Sequence, residues 1–196
     1  MSLTEKLIEQ SKRPNGFVGK TMLGIMNGAH SMMARWGLSY VDIANADTIL
    51  DIGCGGGKTI KDIAKLNAGA KIYGIDISKS SVAATQKLNR KNIAAGKVTA
   101  LVADVCDMPF DDGFFDVAVA VQTHFYWPDL ARAFRKIYRA LKPSGSFVLI
   151  AEIFKMDYHM PRYKTVAEQR ELLFKTGFQK VELHGTGKES CFVCTK

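Results

Sequence analysis

The segment Ile49-Leu50-Asp51-Ile52-Gly53-Cys54-Gly55-Gly56-Gly57 constrains this chain most: an apolar strand breaks into a glycine loop that runs on into a helix. A strand buried on both faces of a parallel sheet reads as an unbroken apolar run, and a loop without Cβ atoms lets a ligand approach the backbone. The next strand, Lys71-Ile72-Tyr73-Gly74-Ile75-Asp76, ends in an acid. Asp76 is thereby placed to accept hydrogen bonds from both hydroxyls of a ribose, which points to a nucleoside-bearing ligand on a doubly wound sheet. Spacing excludes two of the loops that serve such ligands. A dinucleotide fingerprint counted from Gly53 needs its third glycine where Lys58 stands, and one counted from Gly55 needs it at Ile60. A phosphate-cradling loop ending in Gly57-Lys58-Thr59 needs its first glycine at Ile52.

The pattern that remains, Asp51-x-Gly53-x-Gly55-x-Gly57, resembles motif I of the class I S-adenosylmethionine-dependent methyltransferases. Further segments resemble that family in order and spacing. Ala103-Asp104-Val105-Cys106-Asp107-Met108-Pro109-Phe110 is similar to its third strand end and adenine-side loop, and Phe114-Phe115-Asp116-Val117-Ala118-Val119 to its fourth strand. Leu130 to Ile150, with Leu141-Lys142-Pro143-Ser144-Gly145 inside it, is similar to the helix, turn and fifth strand; Ser144 stands where the family commonly has glycine. The resemblance covers roughly residues 45 to 196.

It implies S-adenosyl-L-methionine as cofactor and a role for each matching residue. Gly53, Gly55 and Gly57 would line the methionine end, with the following helix N-terminus favouring its carboxylate. Asp51 would hold the amino group through water or backbone, Asp76 the ribose hydroxyls, and Ile77 would flank the adenine. Asp104 would accept from the adenine amino group and the Val105 amide would meet a ring nitrogen. Gln122, at the end of the fourth strand, would lie beside the methyl-bearing sulfur. The plainer readings are a tight turn for the glycines and a loop cap for Asp104.

The acceptor side is read from position. Gln122-Thr123-His124-Phe125-Tyr126-Trp127 follows the fourth strand, where open α/β sheets place substrate. His124 is the candidate general base, because an unperturbed imidazole accepts a proton near neutrality; a packed histidine is the alternative. His30, Tyr126, His159 and Tyr163 are further candidates on segments that border the same end. Residues 154–164 are too few for a separate substrate domain, so acceptor recognition falls to the N-terminal segment, which favours a small and apolar acceptor.

Composition narrows the class. A chain of 196 residues with 47% apolar content suits one domain. No apolar run approaches a bilayer span, and the polar start Met1-Ser2-Leu3-Thr4-Glu5-Lys6 lacks a secretion signal, so a soluble cytoplasmic protein is expected. Cys191 and Cys194 have the spacing of a metal or redox pair but sit in an apolar run that reads as a strand. Residues three apart on a strand face opposite ways, so the thiols should diverge, and no metal is expected.

The net charge of +8 is partly carried by Arg132, Arg135, Lys136 and Arg139, opposite the apolar stripe Leu130, Phe134, Ile137 and Leu141. This is a solvated helix face or a dock for an anionic partner, which keeps an RNA or protein methyltransferase open. Adenine N6-modifying enzymes carry Asn or Asp followed by two prolines after the fourth strand; here the residues are Gln122-Thr123-His124-Phe125. A non-catalytic cofactor-binding protein is the third reading.

From Thr48 on, strands near 48–52, 71–76, 98–102, 115–121, 146–152, 178–184 and 190–195 alternate with helices near 58–67, 79–95, 128–141 and 165–176. The expected fold is α/β and Rossmann-like: a doubly wound, mainly parallel seven-stranded sheet with an antiparallel last strand and helices on both faces. Thr165-x-x-Glu168 predicts a capping box and Gly177 a helix stop. Residues 1–45 read as a helical cap or lid on the methyltransferase domain of 46–196, with Met22, Met26, Met33 and Trp36 on one helical face.

Overall fold

The structure, a computed structural model, describes residues 31–196. Among them, helix α1 (31–38) precedes strand β1 (Thr48–Ile52), and strands and helices then alternate: α2 (Lys58–Leu66), β2 (Lys71–Asp76), α3 (Lys79–Leu88), α4 (Arg90–Ala94) and β3 (Val98–Val102). After β4 (Phe115–Val121) come α5 (Leu130–Ala140), β5 (Leu141–Glu152), α6 (Ile153–His159), α7 (Val166–Lys175), β6 (Lys180–Gly185) and β7 (Glu189–Thr195). Single 3-10 turns follow β3 at Val105–Asp107 and β4 at His124–Tyr126.

The strands form one sheet in the order β3-β2-β1-β4-β5-β7-β6. The pairs from β3 to β5 are parallel, and β7 runs antiparallel between β5 and β6. Order reverses between β1 and β4, so the carboxyl ends of these two strands flank the crevice where such sheets bind ligands. This is the doubly wound sheet expected, with its one reversed strand.

Alternation within the strands feeds two cores. Val117, Val119 and Val121 of β4 face one side with Ile49, Val148 and Ile150, under Ala34 and Leu38 of α1 and Ile60 and Ile63 of α2. Ala118 and Ala120 face the other with Leu50, Phe147 and Phe192, under Leu130, Phe134 and Ile137 of α5 and Leu172 and Leu173 of α7. Each large side chain so buried is worth about 1.5–3 kcal/mol against exposure. Cys191 belongs to the first core and Cys194 to the second, so the two thiols diverge across the sheet. Both are pushed far up by burial, Cys191 to about 12.

Three boundaries differ from the sequence expectation. The helix expected near 79–95 is two, because Asn89 leaves helical geometry (φ −103°, ψ 17°) and sends its amide to the Gly57 carbonyl, 3.0 Å away. Strand β5 starts five residues earlier than read, at Leu141, with a register irregularity opposite Phe115 to Val117. Ser144 lies in that early part with φ 62°, the left-handed backbone for which glycine is the easier residue. Third, α6 occupies a stretch assigned no element, since its seven residues bury only Met156 and carry little amphipathic pattern.

The last helix matches its signals: Thr165 and Glu168 form the full capping box, and Gly177 follows at φ 118°. Of the expected lid face, Met33 and Trp36 lie partly buried on α1, while Met22, Met26 and His30 lie outside the described residues. Helix α1 reaches the sheet closely because residue 37 is glycine; a Cβ there would stand 2.2 Å from Ile150 Cδ1. Among the described residues no helix is long and apolar enough to cross a membrane.

Candidate functional site

The glycine loop between β1 and α2 turns through three left-handed residues, Gly53, Gly55 and Gly57, at φ 70°, 53° and 77°. Few other residues tolerate that sequence of angles, which explains the glycine spacing. Backbone amides tie the loop to the end of β2: Gly53 and Cys54 both donate to the Ile75 carbonyl, at 2.8 and 3.0 Å. From outside, α3 holds the loop by its carbonyls. Thr85 Oγ1 donates to Gly55 at 2.9 Å and Asn89 Nδ2 to Gly57 at 3.0 Å, and both side chains are buried. Helix α2 begins at Gly57 with no side-chain cap, leaving first-turn amides for an anionic group.

Two carboxylates face this loop. Asp76 at the end of β2 accepts from the Gly55 amide through Oδ2 (3.0 Å) and from the Ser78 amide through Oδ1 (2.8 Å). Burial raises its pKa, and those two amides oppose the rise. Each oxygen keeps acceptor capacity beyond its one amide bond, as a ribose diol requires. Asp51 at the end of β1 is 2% exposed, and its Oδ2 has no hydrogen-bond partner. Burial, and then the charge of Asp76, push its pKa up to about 7. A buried acid short of a partner and repelled by a neighbouring acid is the natural counterpart of a cationic amino group. Cys54, between them, has its thiol pushed well above the ordinary range by burial and by the same two acids.

Next to Asp76, Ile77 is 47% exposed. Asp104 is exposed, and its Oδ1 caps the following 3-10 turn by accepting from the Cys106 amide at 2.8 Å. Val105 is buried in that turn. Glycine loop, Asp51, Asp76 and Ile77 are therefore contiguous along β1 and β2, and the pairing of Asp76 with Val102 brings the segment of Asp104 alongside.

The loop after β4 closes the other flank. A Cβ on Gly53 would stand 2.2 Å from Thr123 Oγ1, so Thr123 packs directly on the glycine loop. Next to it Gln122 is 4% exposed and holds φ 57°, a strained value for a residue with a side chain. Its Nε2 donates to Glu152 Oε2 at 3.1 Å and lies 3.2 Å from Met33 Sδ on α1. Strand β4 thus brings its end to the cofactor loop, to the end of β5 and to the N-terminal helix at once.

His124 lies elsewhere. It is 1% exposed, with its ring against Phe125 and Trp127. Burial drives its pKa down to about 3, opposed only by Gln169 of α7, and neither ring nitrogen makes a hydrogen bond of good geometry. The structure brings Asp51, Asp76 and Gln122 around the loop but seats His124 in the core under α7. Tyr126 and His159 pack on each other and on Phe125. Tyr163 gives its carbonyl to Gln169 at 3.0 Å.

The basic face of α5 is partly engaged: Arg132 Nε donates to the Cys106 carbonyl, and Arg139 pairs with Asp112 at 2.9 Å. Among the described residues no group of three or more His, Cys, Asp or Glu is arranged to hold a metal. The sequence reading missed Thr123, Thr85, Asn89 and Glu152. Glu152 carried the same signal as Asp76, an acid ending an apolar strand.

Comparison with known proteins agrees with this geometry. A family profile described as Methyltransferase domain matches residues 50–149, from β1 to within β5. The chain is 36% identical over 149 residues to O-methyltransferase resE of Aspergillus sclerotiorum, covering 68% of this chain and 55% of that protein. It is 28% identical over 161 residues to squalene methyltransferase 2 of Botryococcus braunii, covering 82% of this chain and 42% of that one. The chain therefore spans about half the length of these curated relatives. Among solved structures, an S-adenosyl-L-methionine-dependent methyltransferase from Methanococcus maripaludis superposes with a TM-score of 0.73 at 22% identity, covering 91% of this chain and 92% of that one.

Proposed function

The chain belongs to the class I S-adenosylmethionine-dependent methyltransferases, and on that premise we propose that it methylates a small acceptor with an apolar body. The observation that carries the reading is the buried Asp51, whose Oδ2 has no partner, beside a loop of three left-handed glycines, with Asp76 oriented by two amides. S-adenosylmethionine supplies the chemistry, an activated methyl group on a sulfonium. The protein's part is position and dryness. In this reading Asp51 holds the amino group, the first turn of α2 the carboxylate, Asp76 the ribose, and Ile77 with the Asp104–Val105 turn the adenine. Gln122 borders the sulfur.

Two features support a small apolar acceptor. Phe154 and Tyr158, four residues apart on α6, are 63% and 65% exposed at the carboxyl end of β5. The relatives named above include an O-methyltransferase and a squalene methyltransferase. We also read α1 as part of a cap over this end, since it meets Gln122 through Met33; residues 1–30 of the expected cap lie outside the described residues.

Calorimetry tests the reading. S-adenosylmethionine and S-adenosylhomocysteine should both bind, and NAD and ATP should not at comparable concentration. Preferential binding of NAD would overturn it.

A further inference from the structure

We propose that Glu152 is the acceptor-binding carboxylate, and that the methyl acceptor therefore presents a hydroxyl or amino group to it. The inference rests on the methyltransferase reading and adds the chemical class of the acceptor.

Glu152 ends β5 and occupies the N-cap position of α6, yet its side chain caps nothing. It turns toward the cofactor flank instead, where Oε2 accepts from Gln122 Nε2 at 3.1 Å and from Lys155 Nζ at 2.5 Å. Two donors on one oxygen fix the carboxylate, while Oε1 takes no hydrogen bond among the described residues. The side chain is 29% exposed, open enough to meet a ligand.

The same contact orients Gln122. A carboxylate offers no proton, so the amide nitrogen must face Glu152, and Gln122 Oε1 is turned the other way. That oxygen is buried without a partner, in a residue 4% exposed and held at positive φ. The pair thus places two acceptor atoms without a partner among the described residues, the buried Oε1 of Gln122 and Oε1 of the part-exposed Glu152, where β4 and β5 end, one residue from the Thr123 that rests on Gly53. Of the two, the Glu152 oxygen is the one a ligand can reach, and it selects a ligand that donates. A hydroxyl supplies one proton and an amino group two or three; an ether or bare hydrocarbon supplies none and leaves that oxygen unpaired. Phe154 and Tyr158 on α6 offer aromatic surface to the rest of the acceptor, which makes the site amphipathic: a dry body and one donating group.

The test uses the full chain loaded with S-adenosylhomocysteine and four small probes: 4-butylphenol, 4-butylbenzylamine, 4-butylanisole and butylbenzene. Affinities come from saturation-transfer NMR titrations of the parent, Glu152→Gln and Glu152→Leu. The phenol or the amine should bind the parent roughly tenfold or more tightly than the two probes without a donor. Glu152→Gln, which keeps an acceptor oxygen but no charge, should lose the amine preference and keep part of the phenol preference. Glu152→Leu should lose both. S-adenosylhomocysteine affinity is measured by calorimetry on each variant and the probes are titrated at saturating S-adenosylhomocysteine, so that a change relayed through Gln122 to the cofactor is separated from acceptor binding. The proposal is overturned if butylbenzene binds the parent as well as the donors do, if neither donor probe binds, or if Glu152→Leu keeps the preference. Failure of the parent to bind S-adenosylhomocysteine would instead sink the cofactor reading.

Discussion

Asp51 and Asp76 lie at the carboxyl ends of neighbouring strands and carry the same acidic group, yet they stand in different conditions. Asp76 has two amide donors and Asp51 has an oxygen with none. In the proposed reading, removing Asp76 takes away the acceptor for two ribose hydroxyls, and it also frees the Gly55 amide. Asp104 spends one oxygen on a turn and in that reading would serve a single amino group. Asp76→Ala should therefore weaken S-adenosylhomocysteine binding more than Asp104→Ala, by roughly tenfold or more, given about 1.5–3 kcal/mol for a hydrogen bond to a charged group. Calorimetry on both variants decides the order, and parent-like binding by Asp76→Ala would refute the assignment. The backbone demands of the loop were legible in the sequence: glycines at 53, 55 and 57 for three left-handed residues, and acids near the ends of β1 and β2. The burial of His124 was not, because it depends on which way a loop turns, and here the turn takes the ring inward.

At the scale of elements, Asp62 on α2 ties α1 to the body of the protein. It is 3% exposed and bonds Ser31 Oγ at 2.8 Å and Lys58 Nζ at 2.5 Å, with Arg35 3.5 Å away. Burial works to raise its pKa, but the Lys58 and Ser31 bonds and the two positive charges hold it below the ordinary carboxylate range. Asp62→Ala should release the start of α1 while leaving the sheet in place. Hydrogen exchange in residues 31–38 should quicken well beyond that in β1 and β4, because a helix docked on the face of a sheet opens at lower cost than a central strand. Uniform quickening throughout the chain would mean that Asp62 supports the whole core instead. The break at Asn89 belongs to this scale too: an asparagine inside a helical pattern was visible, but its target carbonyl at Gly57 lies 32 residues away.

Across the whole molecule, two buried groups pull the pH dependence of stability in opposite directions. The folded state holds a proton on Asp51 up to about pH 7, whereas the unfolded chain loses it near 3.8. Between those values the folded state binds the extra proton, so this group makes stability fall as pH rises. His124 acts the other way. Its folded pKa of about 3 lies below the unfolded 6.5, so the unfolded chain takes the proton first and stability falls as pH drops through that window. Asp51→Asn removes one arm. Relative to the parent, the ligand-free variant should gain melting temperature as pH climbs from 4 to 7 and hold that gain above 7. Parallel melting curves across this range would show that Asp51 titrates normally.

By itself the sequence determined the alternation of strands and helices, the doubly wound sheet with its reversed strand, and the left-handed glycine loop. These rest on local rules: apolar runs for buried strands and glycine for left-handed turns. Tertiary structure alone decided which polar groups meet across strands. Gln122 and Glu152 are 30 residues apart and become partners only because β4 and β5 pair in parallel and end together. Thr123 became part of the cofactor flank because β4 lies beside β1. His124, one residue further on, was buried because the backbone had by then turned toward α7. Strand register and the direction of a loop are set by packing summed over the whole sheet, and no short window of residues contains that sum.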